Sequence, residues 1–227
     1  MNLPSVGGGA GLAIEHVPVL VPVDALRLEG ILSVPTAARG VILFAHGSGS
    51  SRHSPRNRYV ADILNESGLA TLLIDLLTED EHQVDLQTAH LRFDIGLLAQ
   101  RLEIITEWLV DHPEVQRLSL GYFGASTGAA AALMAAAELP ELVRAVVSRG
   151  GRPDLAGPSL AAVEAPTLLI VGGADTPVID LNRRAMAHMH CDKELRIVPG
   201  ATHLFEEPGA LEKVAALARD WFLKKLA

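Results

Sequence analysis

Leu118-Ser-Leu-Gly-Tyr-Phe-Gly124-Ala-Ser126-Thr-Gly128 runs directly into Ala129-Ala-Ala-Ala-Leu-Met-Ala-Ala-Ala137. An apolar run of strand length ends in Gly-x-Ser-x-Gly, and an alanine-rich helix begins with no linker. Turning from strand to helix in so few residues strains the backbone of the central residue and lifts its side chain clear of the turn. Gly124 and Gly128 remove Cβ atoms that would collide where the two elements crowd together. Ser126 then stands at a helix N-terminus, where free N–H groups and the helix dipole favour negative charge. A nucleophilic alkoxide and a tetrahedral oxyanion need that environment. The same residues also fit a plain Gly-Ser N-cap, so the reading depends on finding a base and an acid elsewhere.

Outward from this stretch, strands and helices alternate. Glu15–Pro22 and Ala25–Val34 read as an antiparallel pair, and Pro18 and Pro22 place the first of them at a sheet edge. Gly40–Ala45 and Leu69–Asp75 are continuous apolar runs, the mark of strands buried on both faces, with a helix over about Tyr59–Ser67 between them. Ile95, Leu98, Leu102, Ile105 and Leu109 recur at helical spacing, with Pro113 beyond them as a stop. Further strands are expected at Ala145–Ser148, Thr167–Val171 and Leu195–Val198, and a closing amphipathic helix at Leu211–Leu226. This alternation predicts a single α/β domain over residues 14–227, with a mostly parallel sheet and helices on both faces. Residues 1–13, with Gly7-Gly-Gly-Ala-Gly11, read as a flexible leader and not as a phosphate loop, since no strand precedes the glycines.

Of the 227 residues, 49% are hydrophobic and 20% charged, which suits one compact domain with a covered sheet. A formal net charge of −8 leaves no basic surplus for nucleic acid. The single cysteine, Cys191, excludes an internal disulfide and a multi-cysteine zinc site. The N-terminus lacks a signal-peptide pattern and no apolar run is of membrane-spanning length. The expectation is a cytoplasmic protein with no membrane partner.

In a parallel sheet, function gathers at the loops leaving the C-terminal strand ends. Those loops begin at His46-Gly47-Ser48, at Ser126, at Arg149-Gly-Gly-Arg152, at Gly172-Gly-Ala-Asp175 and at Pro199-Gly-Ala-Thr-His203. Serine, aspartate and histidine therefore emerge along one edge in the order Ser126, Asp175, His203. A serine hydroxyl needs a base that takes its proton and later protonates the leaving group; His203 fits. A carboxylate behind the ring must fix its tautomer, and Asp175 suits that role better than Asp180, which falls inside the following helix. The plain alternatives are a surface histidine and a turn aspartate.

The chain resembles the α/β-hydrolases, whose triad follows this order, from about Glu15 onward. Its small size and missing cap domain are similar to the dienelactone hydrolases and related small esterases. Those enzymes carry cysteine at the elbow where this chain has Ser126, which favours ordinary carboxylesterase chemistry. The resemblance implies an oxyanion hole made by the N–H of Thr127 and one from the His46-Gly47-Ser48 loop, with Ser48 preferred to Gly47, and His46 supporting that loop.

Arg52, Arg149 and Arg152 flank the expected site. One reading makes them a fork for a substrate carboxylate, as the resemblance suggests. The other makes them structural, with Arg52 pairing to Glu79, Asp80 or Glu81. No cofactor or metal is expected; the cluster His188, His190, Cys191 and Asp192 lies at a helix end with methionines interleaved. The expected activity is hydrolysis of a small carboxylic ester through an acyl-enzyme, with no cap domain over the site. Acyl transfer or thioester cleavage on the same triad, and a non-catalytic binding module, stand as alternatives. Monomer and homodimer are equally open.

Overall fold

The computed structural model describes residues 13–226; most of the expected leader lies outside them. Strands β1 (Ile14–Val23) and β2 (Leu26–Pro35) form an antiparallel hairpin, with the proline-bearing β1 at the sheet edge as expected. Then come β3 (Val41–Ala45), α1 (Pro55–Glu66), β4 (Ala70–Ile74), α2 (Glu79–Thr88) and α3 (Ile95–Val110). The elbow joins β5 (Leu120–Ala125) to α4 (Thr127–Glu138). Beyond it lie β6 (Val143–Arg149), a 3₁₀ segment Pro153–Ala162, β7 (Thr167–Gly172), α5 (Thr176–His188), β8 (Lys193–Val198) and α6 (Ala210–Lys225).

The eight strands form one sheet in the order β1-β2-β4-β3-β5-β6-β7-β8, parallel from β4 to β8. β2 runs antiparallel beside β4 and not beside β3, with Gly30 opposite Ile74. Every residue of β3, β4 and β5 is buried, so these strands read as apolar runs, with Thr71 the polar exception in β4, because helices cover both faces. On one face Leu43, Tyr122 and Val146 pack with Leu102, Ile105 and the alanines of α4. On the other, Ile42, Phe44, Phe123 and Val147 meet Val60, Leu64, Val214 and Phe222. Alanine along α4 lets that helix settle close to both sheet and α3, and nine of its residues are buried.

Two connections contain short elements that hydrophobic periodicity does not announce. The stretch after β4 folds as α2, started by a capping box in which Thr78 and Glu81 exchange hydrogen bonds. The segment after β6 is a kinked 3₁₀ run against α4 and α5. It is too short for a separate domain over the strand ends.

Candidate active site

Ser126 has φ 51° and ψ −121°, a strained geometry for a residue with a Cβ, and its hydroxyl caps no helix N–H. It is not a plain N-cap. The turn is held by its N–H on Arg149 O at 3.2 Å and by the N–H of Arg152 on its carbonyl at 3.0 Å. A Cβ on Gly124 would lie 2.4 Å from Ala129 Cα, and one on Gly128 would lie 2.3 Å from Ala45 O and 2.5 Å from His46 O. The elbow thus presses against the end of β3, where the His46-Gly47-Ser48 loop starts.

His203 Nδ1 and Asp175 Oδ2 are 2.7 Å apart. With an ionised carboxylate as acceptor, the ring proton sits on Nδ1 and the Nε2 lone pair is left free. The two loops are sewn together by Gly173 N to Val198 O at 2.8 Å and Ala174 N to Ala201 O at 2.9 Å. Gly172 permits the approach, since a Cβ there would meet Ala201 O at 2.3 Å. Buried Phe205, itself at φ 56°, anchors the far side of the histidine loop. The ring also neighbours the elbow: a Cβ on Gly150 would be 3.6 Å from His203 Cε1, and Gly150 follows the arginine that accepts the Ser126 N–H. Asp180 instead lies on α5, exposed and near Arg183.

Ser48 and Thr127 are brought together, though with a twist. The Ser48 N–H donates to Thr127 Oγ1 at 2.9 Å, so in this state it points at a neighbouring hydroxyl. Thr127 heads α4, where backbone N–H groups lack helical acceptors. His46 is pinned between Gly47 O, 3.0 Å from Nδ1, and the Leu76 N–H, which donates to Nε2 at 3.0 Å. Those partners require the neutral ring, and burial, reinforced by His82, lowers its pKa below the usual histidine value against the opposing pull of Gly47 O and Asp75.

The arginines separate into two kinds. Arg52 is clamped by Asp75 and Glu29, which corrects the expected partners Glu79 to Glu81 and occupies both terminal nitrogens. Arg152 forms a bidentate pair with Asp154 at 2.9 and 2.8 Å. Neither presents a free fork to a substrate carboxylate. Arg149 is buried without any carboxylate partner among the described residues. A cavity of about 480 Å³ opens beside Gly47 and Ser48, walled by Arg52, Asp75, His82 and Arg92. Its charged walls are largely self-paired, Arg92 with Asp85 and Arg52 with Asp75. Glu81, which stabilises α2 through Arg101, was missed as a site-shaping residue although the Thr78-x-x-Glu81 capping signal is visible in the sequence.

Cys191 lies near Thr167 and Asp192 pairs with Lys225; among the described residues no cluster of three ligating side chains could hold a metal ion. Among those residues, too, no helix is long and apolar enough to cross a membrane.

Serine, aspartate and histidine at the C-terminal ends of β5, β7 and β8 of an α/β sheet, with no cap domain among the described residues, are the arrangement of a hydrolase. The model of the dienelactone hydrolase family matches residues 28–225, and the chain belongs to that family. A solved dienelactone hydrolase from Anabaena variabilis is 60% identical and superposes with a TM-score of 0.93, covering 94% of this chain and 99% of its own. Est1E from Butyrivibrio proteoclasticus shares the fold at 16% identity, with a TM-score of 0.75 over 92% of this chain and 98% of its own. Two Mycobacterium tuberculosis proteins, each named "Putative phosphoribosyl transferase", are 59% identical over 98% of this chain. The chain spans about half the length of these relatives, 49%.

Proposed function

We propose that the protein is a serine hydrolase that cleaves small carboxylic esters through an acyl-enzyme. The observation that carries this reading is the Asp175–His203 pair at 2.7 Å, on loops stitched to one another and set beside a strained serine elbow. Ser126 Oγ attacks the carbonyl carbon while His203 Nε2 takes its proton. The oxyanion that forms is met by the N–H of Thr127, and by that of Ser48 once it leaves the Thr127 hydroxyl. Collapse breaks the ester C–O bond, and the departing alkoxide takes the proton from His203. Water, deprotonated by the same ring, then attacks the acyl carbon, and Ser126 regains its proton as the acid departs. The name of the longer relatives is inferred to describe the part of those proteins that this chain does not span.

A fluorophosphonate probe should label Ser126 in the wild-type protein and nothing in Ser126→Ala. A panel of p-nitrophenyl esters of rising acyl length would report turnover directly. No labelling and no turnover in folded wild-type protein would leave the binding-module reading instead. Product analysis with added alcohol or thiol acceptors distinguishes hydrolysis from acyl transfer.

A further inference from the structure

Arg149 carries a buried charge that no carboxylate among the described residues balances. The residue is 8% exposed, and among the described residues its Nε and Nη1 have no hydrogen-bond partner. Its Nη2 reaches Asn57 Oδ1 at 3.4 Å, a long contact with a neutral acceptor. Burial and then the like charge of Arg56 pull its pKa down to about 10. Arg56 shares the deficit, because its Nε is buried and unpartnered while its Nη1 meets Glu206 Oε1 at 3.2 Å. Both Arg56 and Asn57 belong to the first turn of α1, which holds no acidic residue. Buried charges in folded proteins are paired or hold an ion, and unsatisfied buried donors call for an occupant.

The place is next to the chemistry. Arg149 ends β6 opposite Ala125, and its carbonyl accepts the Ser126 N–H. A planar carboxylate has two oxygens, which one guanidinium can satisfy. Here the free donors are three nitrogens on two guanidiniums, which call for a third oxygen and for more negative charge than one carboxylate brings. Glu206 is exposed and holds Arg56 only by its outer nitrogen, so an incoming anion can displace it.

We propose that Arg149 and Arg56, at the first turn of α1, form a site for a tetrahedral phosphate group. That group is either carried by the ester substrate or supplied as free phosphate. The substrate form rests on the esterase reading; the binding site does not.

Thermal melts at fixed ionic strength, with inorganic phosphate replacing chloride, test the site in wild type, Ser126→Ala, Arg149→Met and Glu206→Gln. A saturable rise in Tm is expected for wild type and Ser126→Ala. Arg149→Met should lose the rise while melting no lower than wild type without phosphate. Glu206→Gln should respond at lower phosphate concentration. If Arg149→Met does not fold, Arg56→Met must lose most of the response. No rise in wild type, an equal rise with acetate, or an undiminished rise in the arginine variants overturns the proposal. The source is settled by comparing the acetyl ester of glycerol phosphate with glycerol monoacetate. A preference of about tenfold or more in kcat/KM for the phosphorylated ester, lost without Arg149, identifies the substrate's own phosphate. A Tm response without that preference identifies free phosphate. If no ester is turned over at all, the esterase reading fails while the melts of Ser126→Ala still decide the site.

Discussion

His203 meets Asp175 at 2.7 Å across two loops that share backbone hydrogen bonds, so the pair is set by main chain and not by side-chain choice alone. Replacing Asp175 by Asn keeps the shape but offers the ring an amide donor that favours the wrong tautomer. Turnover of a p-nitrophenyl ester is expected to fall by up to about 10⁴-fold, with the melting temperature close to wild type. Near-normal turnover would remove Asp175 from the mechanism.

Ser126 holds its position at φ 51°, where a Cβ is strained and glycine is not. Ser126→Ala and Ser126→Gly should both lose about four to six orders of magnitude in kcat. Their stabilities should differ, with the glycine variant more stable than the alanine one by about 1 kcal/mol, because the strain falls on the Cβ. Denaturant melts of the two inactive proteins make the comparison without any effect of activity.

His46 links stability to acidity. Its folded-state pKa lies below the unfolded histidine value of about 6.5, so the unfolded chain binds the proton more readily. Its contribution is therefore whole above about pH 6.5 and is lost as pH falls from there toward the folded pKa. Protonation would also cost the Leu76 N–H its acceptor and loosen the loop that carries Ser48. His46→Gln should be less stable than wild type at pH 8, and the gap should narrow toward pH 5. A gap that widens on acidification would contradict the neutral, doubly bonded ring.

Arg52 illustrates where sequence reading stops. The acidic run after the adjacent strand suggests Glu79 to Glu81, yet its partners are Asp75 and Glu29. Glu29 arrives there because β2 lies beside β4, where the Asp75 N–H bonds to Glu29 O at 3.0 Å. Nothing local in either segment announces that crossing. The buried strands were legible for the opposite reason: cover on both faces leaves few polar residues in the run, such as Thr71, which Asn65 satisfies. Helix α2 escaped because Asp85 is its one buried residue, so it shows no apolar stripe and its capping box was its sole signal. Arg149 and Arg152, three residues apart, looked alike in sequence. One ends a strand facing the core and the other turns back to Asp154.

From that arrangement follows the behaviour of Arg52→Met. It leaves the partly buried Asp75 carboxylate without its cation, while the exposed Glu29 stays solvated, and a loss of about 1–3 kcal/mol is expected. Turnover of neutral and carboxylate-bearing esters should change by the same factor, since neither terminal nitrogen is free for substrate. A selective loss on the charged ester, measured well below the melting temperature, would restore Arg52 as a substrate contact.

Gly128 connects the elbow to the His46-Gly47-Ser48 loop. An alanine there would place its Cβ 2.3 Å from Ala45 O and 2.5 Å from His46 O. Both atoms are backbone, so the clash cannot be relieved by a rotamer change. Either α4 lifts from the sheet or the end of β3 moves away. The gain in helix propensity, about 1 kcal/mol, is smaller than an overpacking cost of about 3 kcal/mol or more. Whichever element shifts, the Ser48 N–H and Thr127, now joined at 2.9 Å, separate. Losing one oxyanion donor lowers kcat by about 10²–10³-fold with little effect on KM. Leu160→Ala, in the 3₁₀ segment and outside the Ser126 and His46-Gly47-Ser48 loops, provides a control, since a cavity there costs a similar about 2–5 kcal/mol. At a temperature where both variants are folded, Gly128→Ala should be slow toward esters and fluorophosphonate alike while Leu160→Ala keeps near-normal rates. Equal losses in the two would mean that the site responds to global stability and not to the contact between elbow and loop.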